Sequence, residues 1–134
     1  MAKYKVIPID IYKRDITVFI GSHDEFKEWV ASYNVPTNWE QLIESIIYSD
    51  DDNAAGSYWY NNKNGNGIIE LPVHPQSKED VGVAAHECLH CVMHILSYVN
   101  IPCVPNEANE TYTYLLEHLL VKVLDYNDYK IINI

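Results

Sequence analysis

The stretch Val81-Gly82-Val83-Ala84-Ala85-His86-Glu87-Cys88-Leu89-His90-Cys91-Val92-Met93-His94-Ile95-Leu96 decides how the chain reads. It is mostly apolar. Pro75 and a Ser77-x-x-Asp80 pattern precede it, and Asn100-Ile101-Pro102 follows. A hydroxyl at the N-cap with a carboxylate three residues later satisfies the first free amides of a helix, and a proline beyond the end stops it. The pattern predicts one long helix over about 78–99.

Within that helix stands His86-Glu87-x-x-His90. Residues four apart share a helix face, so the two imidazoles can reach one ion from adjacent turns. Glu87 sits too near the axis to join both as an easy ligand, but it can reach a water held by the ion. Zinc lowers the pKa of such a water toward ~7, and a neighbouring carboxylate takes its proton. The competing reading is a helix whose histidines make ordinary hydrogen bonds. An apolar helix carrying this set by accident would hold unsatisfied polar groups. One Zn2+ is therefore the expected cofactor, with His86 and His90 as ligands and Glu87 as general base.

A catalytic zinc site uses three protein ligands and keeps a fourth position open. A histidine ten residues after the first is excluded, because that position is Leu96. His94 lies ~12 Å from His86 along the helix axis, too far to share one ion easily. It reads as a neighbour of the site, a substrate contact or a packed residue. The remaining donors fall in Asn106-Glu107-Ala108-Asn109-Glu110-Thr111-Tyr112-Thr113-Tyr114-Leu115-Leu116, a helix expected over about 107–125 with Asn106 as its cap. Glu107, at the helix start, already has a role toward the helix dipole. Glu110, one turn inside, is the preferred third ligand, with Glu107 as the alternative. His118 lies two turns further on, either orienting Glu110 or simply exposed. Tyr112 and Tyr114 either pack or offer a hydroxyl to a developing oxyanion.

Working outward, residues 4–12 and 16–20 read as a hairpin with a turn at Lys13-Arg14-Asp15. Ser22-x-x-Glu25 opens a helix to about Tyr33, and Thr37-x-x-Glu40 a second one to about Tyr48. Residues 50–53 form an acidic loop without the ligand spacing of a calcium-binding loop. Residues 56–61 and 67–73 make a second hairpin across an Asn/Gly-rich connector. Residues 67–73 precede the long helix directly and are the expected edge strand, with Pro72 suited to an edge and His74 either facing the cleft or lying in a loop. The tail 129–134 reads as a short strand or a packed segment.

The 134 residues suit a single domain, 1–134, able to bury a core without disulfides. Nineteen acidic and 9 basic residues give a net charge of −10, with no cluster of Lys or Arg. Such a chain gains nothing from phosphate counterion release, so neither nucleic acid nor an anionic membrane is an expected partner. Eleven tyrosines against two phenylalanines suit half-buried positions with a solvated hydroxyl. Cys88, Cys91 and Cys103 make an odd set, read as three reduced, small apolar residues in an intracellular setting. No run reaches transmembrane length, and the N-terminus has no apolar stretch of the kind a signal peptide needs.

The segment His86-Glu87-Cys88-Leu89-His90, the Ile101-Pro102 turn, and Asn106-Glu107-x-x-Glu110-x-x-x-Tyr114-Leu115-Leu116 together resemble small HExxH proteins encoded by tailed bacteriophages. There the second motif reads Glu-Ala-x-Ala-Tyr-Leu and its glutamate is taken as the third zinc ligand. The resemblance spans roughly residues 55–120, with Thr111 and Thr113 where the family has alanine. It implies Glu110 as the third ligand and a phage source, hence a place in the host cytoplasm or on a virion. The expected fold is α+β: a small zincin-like domain in which two β-hairpins form a small sheet packed on an active-site helix and a following C-terminal helix. The expected activity is gluzincin-like zinc-dependent hydrolysis of a peptide or protein substrate, with a non-catalytic zinc-binding module for the virion or host as the other metal-binding reading. A chain this short leaves little room for a walled cleft, which a homo-oligomer or a virion partner would supply.

Overall fold

The computed structural model describes residues 2–32, 46, 55–61, 64–104 and 109–133. The Thr37/Glu40 capping box, the helix expected to Tyr48 (apart from Ile46), the acidic loop at 50–53, Asn106 and Glu107 lie outside the described residues.

The chain folds as α+β. Strands β1 (Lys3–Ile9) and β2 (Arg14–Ile20) pair antiparallel, as do β3 (Ser57–Tyr60) and β4 (Gly67–Leu71). The two hairpins join through a parallel β2–β4 pairing, Ile16 opposite Gly67 through Ile20 opposite Leu71. A short β5 (Lys130–Ile131) pairs with β1, giving one mixed sheet in the order β3-β4-β2-β1-β5. Helix α1 (His23–Ala31) covers one face, where Phe26, Trp29 and Val30 meet Phe19 and Ile68. Helices α2 (Lys78–Tyr98) and α3 (Asn109–Leu124) cover the other, where Cys88, Val92 and Ile95 of α2 and Leu115 and Leu119 of α3 meet Ile16, Val18 and Ile69.

The expected start signals form as written. Ser22 and Glu25 exchange hydrogen bonds as a capping box for α1, and Ser77 and Asp80 do the same for α2. The turn of the first hairpin falls earlier than the sequence suggests. Asp10–Tyr12 form a 3-10 turn, Lys13 takes the left-handed conformation (φ 53°), and Arg14 and Asp15 already pair within β2. Residues 67–71 are not an edge. They lie between β2 and β3, all five buried, and the edge beside α2 is β3. The sequence run Gly-Ile-Ile-Glu-Leu has no polar face because both faces of β4 are covered.

The three cysteines divide. Cys88 and Cys91 are buried and reduced, with burial pushing the Cys88 thiol up to about 12. Cys103 is reduced but exposed, so it is not a packing residue. Tyrosine hydroxyls find backbone partners at the edge of the core, Tyr112 donating to the Ile101 carbonyl at 2.7 Å and Tyr129 to that of Val123 at 2.8 Å. No helix among the described residues is long and apolar enough to cross a membrane.

His74 closes the C-terminal end of α3. Its Nε2 lies 3.0 Å from the Leu124 carbonyl, and its ring stacks on Tyr126 at 3.8 Å. It therefore packs against α3 and the tail rather than into a cleft. Burial holds its pKa below the ordinary value of 6.5. An unfolded chain takes up this proton near pH 6.5 while the folded chain resists until lower pH, so the stabilisation is present above pH 6.5 and is lost as pH falls below it. The thermal midpoint should fall between pH 7.5 and 5. A His74→Gln variant, which can still donate to the carbonyl but does not titrate, should show a shallower acid slope in the same calorimetric series.

Candidate metal centre

Helix α2 has two unlike sides. Ala84, Cys88, Cys91, Val92, Ile95 and Leu96 are buried in the core, whereas Gly82, His86, Leu89, His90 and Met93 are exposed. The metal motif thus lies along the boundary of the packed face, with both imidazoles outward. His86 Nε2 and His90 Nε2 are 3.2 Å apart. Two nitrogens bound to one tetrahedral zinc at about 2.0–2.1 Å would stand about 3.3 Å apart, so the pair fits one ion as it stands. Glu87 completes the group: the ligand atoms of His86, Glu87 and His90 all lie within 4.8 Å of one another.

Glu87 differs from its neighbours in being only 5% exposed. Burial holds its carboxyl above the usual carboxylate range, and the charge of Glu70 adds to this, while His86 and His90 pull the other way. Its stem is fixed by the strand opposite. A Cβ at Gly56 would stand 2.9 Å from Val83 Cγ1 and 3.2 Å from Glu87 Cγ. Only a glycine lets the backbone before β3 approach α2 this closely.

Glu110 is exposed in the first turn of α3 and is not one of the three donors brought together. Tyr112 points away into its bond with Ile101, Tyr114 is 67% exposed, and His118 is exposed. His94 is a packed neighbour of the site. Its Nδ1 is hydrogen-bonded to the Tyr58 hydroxyl at 2.9 Å, and its ring lies 4.5 Å from that of Tyr60. Its Nε2 is buried without a hydrogen-bond partner among the described residues, and burial, with Arg14 nearby, lowers its pKa. It is a neutral spacer that fixes the edge strand against α2 one turn beyond His90.

A polar cluster on the α1 face of the sheet is not apparent from local sequence. Glu70 Oε2 meets His23 Nδ1 at 2.7 Å, and Glu70 Oε1 accepts from the Trp59 indole at 3.1 Å. These contacts tie β4 to α1 and to the edge strand. The one local signal was a carboxylate inside an apolar strand, which burial obliges to find partners.

The two glycines near the motif should respond oppositely to alanine. Gly56→Ala forces Val83 and Glu87 aside and should destabilise by about 1–3 kcal/mol, the usual cost of overpacking. Gly82, in the exposed face of α2, has nothing within 4 Å of a built Cβ, so Gly82→Ala should stabilise by roughly 0.5–1 kcal/mol. Denaturant titrations of both variants check the pair. No protein-family model, no curated protein and no solved structure matches this chain.

Proposed function

We propose that the protein is a zinc-dependent hydrolase of peptide bonds, gluzincin-like in its ligand set. The observation that carries the reading is the 3.2 Å separation of the two exposed imidazole nitrogens beside a buried carboxylate. Zinc, when bound, supplies a Lewis acid and a water of lowered pKa. His86 and His90 would hold it from successive turns of α2. Glu87 would take the proton of the attacking water and return it to the leaving amine. Glu110 is proposed as the third protein ligand on the resemblance to phage HExxH proteins. Its exposure leaves the carboxylate unconstrained by the core.

The reading is checked by titrating zinc into the parent and three variants while following turnover of a broad peptide library. His90→Ala should lose stoichiometric zinc. Glu87→Gln should keep zinc and lose about 10²–10⁴-fold in kcat, the range of a general base. Glu110→Gln should lose about tenfold or more in zinc affinity, and unchanged affinity would remove it from the ligand set. If the parent and Glu87→Gln treat the library alike, the site binds metal without hydrolysis and the protein is a zinc-binding module.

A further inference from the structure

The walls of the metal centre continue past it on both sides. The seam between α2 and residues 55–60 holds two depressions. One, of about 300 Å3, is lined by Tyr58, Trp59 and Tyr60 together with Glu87 and His90. The other, of about 270 Å3, is lined by Leu71, Pro72, Val73 and Val83, with Glu79 and Asp80 among its lining residues. On α2 they take positions 87 and 90, and then 79, 80 and 83, so they lie on consecutive turns with Glu87 at the junction. Gly56, drawn tight against Val83 and Glu87, forms the ridge between them. Each depression is at or below the small end of the range for whole small-molecule pockets, and suits one side chain. Among the described residues β3 ends the sheet and pairs with β4, and an end strand can take an extended chain by strand addition.

We propose that this seam binds an extended polypeptide with two apolar side chains straddling the metal centre, an aromatic one beside His90 and an aliphatic one against Val73 and Val83. The inference rests on the hydrolytic reading for its consequence but not for its geometry. The first wall carries the rings of Tyr58 and Tyr60, which lie together beside α2 and whose faces and edges match another ring. The second offers aliphatic surface, with Val73 51% exposed and available for cover. Two carboxylates beside the aliphatic depression, on a chain of net charge −10, set the remaining preference: neutral or basic residues are accepted next to the aliphatic side chain, and acidic ones are repelled.

The test uses the zinc-loaded protein and two substitutions away from the metal group. Ala55, exposed and lining the aliphatic depression, becomes tryptophan to fill it; Tyr60, 46% exposed, becomes alanine to open the aromatic one. Internally quenched peptides read turnover by the parent, and zinc-loaded Glu87→Gln reads equilibrium binding of the same library without cleavage. The expected result is selection of an aromatic and an aliphatic residue and exclusion of acidic ones. Ala55→Trp should cut kcat/KM and binding about tenfold or more for peptides with the aliphatic residue, at unchanged zinc affinity and melting temperature. Tyr60→Ala should relax the aromatic preference. Turnover or binding without residue preference, or a preference that neither substitution moves, overturns the proposal. Selective binding without turnover by the parent keeps the seam and removes hydrolysis. Neither binding nor turnover removes both.

Discussion

The parallel pairing of β2 with β4 is the constraint on which the rest depends. It joins the β1–β2 hairpin, with β5 at its side, to the β3–β4 hairpin, which as an isolated two-stranded ribbon would be marginal in water. It also puts β4 inside the sheet, where its five residues are buried. A strand in that place needs a layer on each face, and the chain supplies α1 on one side and α2 with α3 on the other. Because β4 runs directly into α2 through residues 72–77, the helix returns antiparallel across the sheet beside the edge strand. The metal group is held where it is by that return.

Three different demands meet on one helix. The core side is fixed by Cys88, Val92 and Ile95, and the outer side carries the imidazoles. Glu87 lies between, buried enough to be short of solvent yet within reach of both histidines. A single turn of helix thus sets both the separation of the nitrogens and the unlike environments of the two imidazoles and the carboxylate. The aromatic cluster of Tyr58, Tyr60 and His94 holds the strand opposite at one end, and Gly56 holds it at the other.

Local chemistry made much of this legible. The capping boxes at Ser22 and Ser77, the long helix and the His-Glu-His spacing follow from residues within one or two turns of each other. What could not be read were pairings over long separations. Nothing in residues 67–71 says that a second strand lies on each side, so β4 looked like an edge, and β3, whose residues are only partly buried, did not. The His23–Glu70 contact spans 47 positions, and Gly56 has no pattern of its own until Val83 packs against it. The fate of Cys103 likewise depended on which side of the α2–α3 connection faces solvent.

Lys5 carries a further consequence. Its ammonium group, only 4% exposed, donates to the carbonyls of Lys122 and Asp125 at 2.7 and 2.8 Å and lies 4.5 Å from the centre of the Tyr129 ring. Strand β1 is therefore finished by residues at the end of α3 and just beyond it, across separations of 117 and 120 positions. Contacts of that span form slowly, because a long loop must close before they contribute. Helix α2 follows the strands it packs on but precedes α3, so the part of its core side that α3 covers is completed last. The metal group, set by one helix turn, can take shape before the domain closes, whereas the seam beside it depends on the assembled sheet. The spacing of His86, Glu87 and His90 and the placement of the strand opposite them thus rest on contacts of very different span.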